Sequence, residues 1–203
     1  MKIFAVGRNY TEHIAELNNE RPDNPVIFTK PETAVIKNGD PFYYPSFSKD
    51  IHFELEVVLK IAKNGKNIDQ RFASKYYEEI ALGIDFTARD LQTSLKTKGL
   101  PWDLAKGFDG SAPISDFYDK NQFGDLHNLN FSLKQNGEVK QVGDTKLMLF
   151  GFDEIVSFIS KYFTLKKGDF IFTGTPKGVG PVAIGDKLEG FINDKKLLNV
   201  DIK

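Results

Sequence analysis

From His52 to Leu59 apolar and polar side chains alternate with a period of two, the signature of a strand whose side chains point to opposite faces. Phe53, Leu55, Val57 and Leu59 share one face; His52, Glu54, Glu56 and Val58 share the other. The pattern predicts a central strand over 51–62. Shorter apolar runs predict strands at 2–6, 26–28, 33–36, 81–86, 129–134, 139–142, 170–172, 187–192 and 197–202. Asn38-Gly39, Asn64-Gly65 and Asn136-Gly137 are tight-turn signals between such runs. Helical spacing predicts four helices. One is capped by Asn9 or Thr11 and runs to about Asn19, and one is capped by Asp69 and runs to Ile80 on Phe72, Tyr76 and Ile80. The others cover 88–98 and 152–163, the last with Ile155, Val156, Ile159 and Phe163 as its buried stripe. No repeat or low-complexity linker interrupts the chain, so one β-rich α+β domain over 1–203, with helices at its periphery, is expected.

Composition narrows the class. The 203 residues, 40% hydrophobic with 18 Phe, suffice for a substantial core. A formal net charge of −1 without a recurrent basic block argues against a nucleic-acid partner. The opening Met-Lys-Ile-Phe-Ala-Val-Gly-Arg reaches glycine and arginine before a signal-peptide core forms, and no apolar run has membrane-spanning length. The chain has no cysteine, which removes disulfides, thiolate metal sites and a cysteine nucleophile, and fits a cytoplasmic protein.

Glu54 and Glu56 carry the first candidate chemistry. At the usual strand rise their Cα atoms lie roughly 6–7 Å apart, so their carboxylates can converge on one hard dication. Without a cation such a pair is costly once water is excluded; on an exposed face the two are simply solvated. His13 and Glu16, at i and i+3, share a helix face. They suit a carboxylate-oriented general base, or equally a surface pair. The Pro-containing segment 18–25 reads as a loop that lets this helix act as a lid. Asp85 interrupts an apolar run and needs a partner if buried. Arg89, Gln92 and Lys96 fall on one helix face, with Leu91 and Leu95 on another. Lys30 either lines a site or is solvated. Lys106, in the glycine-bearing loop 99–111, is either structural or functional, and Tyr43, Tyr44 and Phe47 are expected at the core edge. The Thr-Gly-Thr-Pro loop at 173–176 lacks the Gly-Lys-Ser/Thr ending of a phosphate loop and reads as turn chemistry.

Taken together and in order, several of these motifs resemble the fumarylacetoacetate hydrolase family. They are Gly7-Arg8-Asn9-Tyr10 with His13 and Glu16, Phe28-x-Lys30-Pro31, Glu54-x-Glu56, Gly83-Ile84-Asp85-x-x-Ala88-Arg89-Asp90-Leu91-Gln92, Lys106-Gly107-Phe108-Asp109-Gly110 and Thr173-Gly174-Thr175-Pro176. The similarity spans nearly the whole chain and is strongest to the short acylpyruvase and oxaloacetate decarboxylase branch. It implies a mixed β-sandwich roll, a homodimer, and Mg²⁺ or Mn²⁺ held by Glu54, Glu56 and Asp85. It makes His13 and Glu16 a water-activating dyad and sets Lys106 against the substrate's carbonyl or carboxylate. Arg89, Gln92 and Thr175 then line the pocket for a small 2-oxo acid. An all-oxygen site of this kind suits Mg²⁺, Mn²⁺ or Ca²⁺ better than zinc. The expected chemistry is carbon–carbon cleavage, as acylpyruvate hydrolysis or oxaloacetate decarboxylation. Isomerisation of 2-hydroxy-dienoates, or binding of metal and small acid without turnover, are the alternatives.

Overall fold

The computed structural model describes residues 1–16 and 20–203. The chain runs through β1 (Ile3–Gly7), α1 (Thr11–Glu16), β2 (Val26–Lys30), β3 (Val35–Lys37), β4 (Ile51–Phe53), β5 (Leu55–Ile61) and β6 (Tyr77–Ile84). It continues through β7 (Thr87–Ala88), α2 (Arg89–Thr97), α3 (Asp103–Lys106), β8 (Ala112–Ile114), β9 (Tyr118–Asp119), β10 (Asn130–Gln135) and β11 (Glu138–Asp144). The last elements are α4 (Phe152–Tyr162), β12 (Phe170–Phe172), β13 (Gly180–Pro181), β14 (Lys187–Ile192) and β15 (Lys195–Asp201).

Among the described residues these strands form three sheets. The largest has eight strands in the order β2-β1-β12-β5-β6-β8-β3, with β9 added to β6. It is mixed: β1–β12 and β3–β8 are parallel, and the other pairs are antiparallel. A second sheet, β11-β10-β14-β15, is antiparallel throughout, and β13-β4-β7 forms a small third one. β5 is covered on both faces. Leu55, Val57, Leu59 and Ile61 enter the main core, while Val58 joins Ile3, Ala5 and Phe172 in a second cluster. Gly190 on β14 shows how closely the second sheet lies. A Cβ there would stand 3.2 Å from Leu82 and 3.3 Å from Leu55. α4 adds Phe152, Ile155, Val156 and Ile159 to the same core, each such side chain contributing about 1.5–3 kcal/mol on full burial. Strand-rich layers with helices outside match the architecture expected from the sequence.

Local expectations change at several points. The strand expected over 51–62 breaks at Glu54: β4 pairs with β7 and β13, whereas β5 pairs with β6 and β12. There the Leu55 N–H donates to Gln141 Oε1 at 2.9 Å, and the Glu54 carbonyl accepts from Asp85 N–H at 2.8 Å. The helix expected over 69–80 is only a 3₁₀ turn, Gln70–Tyr76, capped by Asp69 accepting from Arg71 N–H. From Tyr77 onward the pairing offered by β5 outweighs the helical spacing. Asn64-Gly65 does not turn β5 directly into β6; Gly65 bridges to Leu165 instead. Tyr43 and Phe47 are exposed rather than at the core edge, and Phe163, expected in the stripe of α4, is largely exposed but touches the Phe4 ring. Asn9 is no helix cap. Its amide donates to the Phe150 and Thr173 carbonyls and accepts from Phe150 N–H. The expected continuation of the first helix over 17–19, and the start of the loop expected at 18–25, lie outside the described residues.

Candidate functional site

The break at Glu54 brings the acidic residues together. Glu56 projects from β5 on the side away from the main core, Glu54 follows from the kink before it, and Asp85 comes just after β6. Each offers a carboxylate oxygen within 4.8 Å of the other two, and all three are buried. Cations surround them. Lys106 Nζ lies 2.8 Å from Glu54 Oε2, 2.7 Å from Asp85 Oδ2 and 2.5 Å from Thr87 Oγ1. Arg89 Nη2 donates to Glu54 Oε1 at 2.7 Å, and Lys30 Nζ stands 2.7 Å from Asp85 Oδ1.

The charge states follow from this arrangement. Burial pushes Glu54 upward, but Lys106 and Arg89 outweigh it and hold the carboxyl well below the usual range. Burial pulls Lys106 down, yet Asp85 and Glu54 keep its ammonium above the ordinary lysine value. Glu56 goes the other way. Burial, then Asp85, drive it well above the usual carboxylate range, against the 2.6 Å bond it accepts from Gly174 N–H. Glu56 is therefore the under-compensated carboxylate of the three. Three converging carboxylates with one lacking positive charge are a donor set that fits a hard divalent ion.

The sequence-expected residues around this centre converge. His13, Arg89, Gln92, Lys106 and Thr175 line, with the three carboxylates, one cavity of about 40 Å³. Glu16 stands behind His13: its Oε2 lies 3.1 Å from His13 Nδ1, and its Oε1 accepts from Gly178 N–H at 3.0 Å, fastening α1 to the 173–181 loop. That loop is thus part of the site rather than plain turn chemistry. Arg89 Nη1 donates to Gln92 Oε1 at 2.7 Å, and its buried Nε–H has no partner among the described residues. Thr175 Oγ1 donates to the Leu55 carbonyl and accepts from Gln141 Nε2, so its hydroxyl is already anchored.

Further residues at or behind the chamber had no assigned role in the sequence. Lys30, buried, donates to Ser111 Oγ and to the Ser111 carbonyl and touches the Lys106 carbonyl, tying β2 to the loop that carries Lys106. Arg8, whose backbone is left-handed at φ 59°, lines the cavity with Lys96, Phe28 and Trp102. Lys96 shares the α2 face of Arg89 and Gln92, as the helical spacing indicates. A larger cavity, about 780 Å³, lies elsewhere, against Met1, Phe47 and Leu104.

Buried carboxylates left partly uncompensated, beside a histidine whose ring is held by glutamate, are an arrangement more typical of functional sites than of structural ion-pair clusters. On this fold the class is an enzyme, hydrolase or lyase. The chain belongs to the fumarylacetoacetate hydrolase family: the family model described as "Fumarylacetoacetate (FAA) hydrolase C-terminal" matches residues 2–203. It is 44% identical over 191 residues to the human mitochondrial oxaloacetate tautomerase FAHD1, covering 94% of this chain and 86% of that protein. To the mitochondrial oxaloacetate decarboxylase of Dictyostelium discoideum it is 42% identical over 189 residues, covering 93% and 87%. The crystal structure of fumarylpyruvate hydrolase from Pseudomonas aeruginosa, in complex with Mn²⁺ and pyruvate, superposes with a TM-score of 0.94. Its identity is 36%, over 100% of this chain and 89% of that one.

Proposed function

We propose that this protein cleaves a carbon–carbon bond in a small 2-oxo acid, by decarboxylating oxaloacetate, by hydrolysing an acylpyruvate, or both. The observation that carries the reading is the triad of Glu54, Glu56 and Asp85, buried and converging but with Glu56 short of positive charge. In this reading the three hold Mg²⁺ or Mn²⁺. When bound, that ion supplies Lewis-acid polarisation of the 2-keto oxygen and a fixed positive charge against enolate development.

The chain's own groups do the rest. Arg89, with its partnerless Nε–H, and Gln92 bind the substrate carboxylate next to the keto group. Thr175, anchored on both sides, shapes the wall opposite them. Lys106 spends its three donors on Glu54, Asp85 and Thr87, and together with Arg89 it holds Glu54 ionised. Turning one donor to the substrate sets positive charge against the enolate oxygen. For hydrolysis, His13, oriented by Glu16, takes a proton from the water that attacks the distal carbonyl. Decarboxylation needs no such water, since carbon dioxide departs as the pyruvate enolate forms. Before it leaves as carbon dioxide, oxaloacetate's second carboxylate lies on the side of Arg8 and Lys96.

A second reading, keto–enol tautomerisation of oxaloacetate, is supported by the name of the human relative and uses the same enolate, reprotonated without bond cleavage. We further infer a homodimer, since Phe47 and Leu104 are exposed on the 780 Å³ apolar cleft. Absence of cysteine supports a reducing compartment such as the cytoplasm. Among the described residues no helix is long and apolar enough to cross a membrane. The test is a panel of oxaloacetate, acylpyruvates and hydroxymuconate-type acids assayed with and without Mg²⁺ or Mn²⁺, with product analysis. Metal-dependent pyruvate formation is expected; tight oxalate binding with no turnover of any 2-oxo acid would establish a binding protein instead.

A further inference from the structure

Two cavities meet at one pair of aromatic rings. The polar chamber of about 40 Å³ and an apolar cavity of about 430 Å³ are both lined by Phe28 and Trp102. The ring centroids are 6.0 Å apart and the planes inclined by 59°, a tilted aromatic contact. On the chamber side Lys106 Nζ stands 5.2 Å from the centroid of Phe28. Gly7 closes the remaining edge: a Cβ there would lie 3.7 Å from the Trp102 ring and 3.8 Å from the Phe28 ring. Beyond the rings the larger cavity continues over Val26, Ile27, Leu100, Pro101 and Phe163.

The two spaces differ in what they can hold. Apart from the two rings and a few neutral residues the chamber is lined by carboxylates, lysines, arginines and histidine, and its volume is that of very few water molecules, at about 30 Å³ of liquid per molecule. It suits the charged head of a substrate and cannot take a chain of several methylenes. The neighbouring cavity is about ten times larger, with Asp103 as the one ionisable lining residue among the described residues, and favours methylenes over water. Phe28 and Trp102 are the lining residues the two spaces share.

We infer that the Phe28–Trp102 pair sets the size of the substrate's distal group, confining the intact protein to short 2-oxo acids. Removing the indole opens the apolar cavity to longer acyl chains. The inference rests on the 2-oxo acid reading of the chamber. Trp102 is the ring to remove. Its carbonyl accepts from Ala105 N–H and Lys106 N–H, both at 2.9 Å, so the backbone start of α3 that positions Lys106 survives loss of the side chain. Phe28 sits within β2 and carries the Lys106 contact.

The experiment compares the intact chain with Trp102→Ala and Trp102→Leu, each confirmed folded by circular dichroism. Calorimetry with Mg²⁺ measures binding of 2-oxobutanoate and 2-oxooctanoate. The ratio of kcat/KM for hexanoylpyruvate over acetylpyruvate is measured alongside. The intact protein is expected to bind only the short acid well, and Trp102→Ala to raise both long-to-short ratios at least about tenfold, with Trp102→Leu between them. Unchanged ratios in folded variants, or an intact protein that takes both lengths equally, would overturn the role of the ring pair. An intact protein that binds neither acid would instead overturn the 2-oxo acid reading, and this inference with it.

Discussion

Lys30 Nζ lies 2.7 Å from Asp85 Oδ1 with both side chains removed from solvent, and the same ammonium touches the backbone carbonyl of Lys106. One lysine thus pairs with a member of the acidic triad and ties down the loop of Lys106, which pairs with that same Asp85 and with Glu54. Cutting a buried pair on one side costs about 3–5 kcal/mol, because the remaining charge stays in a low-dielectric setting. Lys30→Met is therefore expected to lower the unfolding free energy by an amount of that order, read from urea denaturation. Lys30→Met combined with Asp85→Asn should recover part of the loss. A single variant as stable as the parent would show that the pair contributes nothing to the fold.

Glu56 gives a pH dependence whose sign is fixed by its environment. Burial, then Asp85 and Glu54, raise its carboxyl, so the metal-free protein holds a proton there that the unfolded chain releases at lower pH. That contribution to stability is complete below the unfolded carboxylate value and is lost as pH rises through the raised one. A divalent ion needs the ionised form, so it must displace the proton. Mn²⁺ affinity is expected to rise with pH above the ordinary carboxylate range, with proton release on binding while Glu56 is still protonated. Calorimetry in two buffers of different ionisation enthalpy measures both. Binding with no proton release and no pH trend would mean that Glu56 is already ionised.

How much of this was legible in the sequence depends on the range of the forces involved. The β10–β11 hairpin across Asn136-Gly137, and helices α2 and α4, follow from local turn chemistry and spacing, and they form as expected. Asp85 announced itself as an acid in an apolar run. For Lys30, apart from the Phe28-x-Lys30-Pro31 match, the sequence leaves a site and a solvated position equally open; the groups that bury it lie 76 and 81 positions away. The break at Glu54 was equally hidden, because the alternation of side chains continues straight through it. The bond from Leu55 N–H to Gln141, 86 positions distant, is one of the long-range contacts that mark where the chain leaves one sheet for another. The segment 69–80 failed for a related reason: its helical spacing is local, while the neighbour of β6 that makes Tyr77–Ile84 a strand is not.

Gly174 offers a test of how the backbone supports the centre. Its φ is 103°, and a Cβ there would stand 2.6 Å from Asn9 Cβ and 3.3 Å from the Val6 carbonyl oxygen. The left-handed conformation already strains a residue with a side chain, and the short contact leaves it nowhere to move. Gly174→Ala is expected to displace the N–H that Glu56 accepts at 2.6 Å. Metal affinity should fall by at least about tenfold and the melting temperature by several degrees. Unaltered Mn²⁺ binding, measured by calorimetry, would show that this amide does not help set Glu56.

The dyad separates the two candidate reactions. His13 is buried at the chamber wall, and Glu16 both holds its Nδ1 and fastens α1 through Gly178. Hydrolysis needs a base for water, whereas loss of carbon dioxide from oxaloacetate does not. General-base assistance is worth about 10²–10⁴-fold. His13→Ala is expected to lower kcat for acylpyruvate hydrolysis by a factor in that range while leaving most oxaloacetate decarboxylation, followed as metal-dependent pyruvate release. Glu16→Gln keeps a hydrogen-bonding group against the ring but removes the charge, so its effect on hydrolysis should be smaller. Equal loss of both reactions in His13→Ala would give the imidazole a different duty. It would then act on a step the two share, such as proton delivery to the enolate or closure of α1 over the substrate.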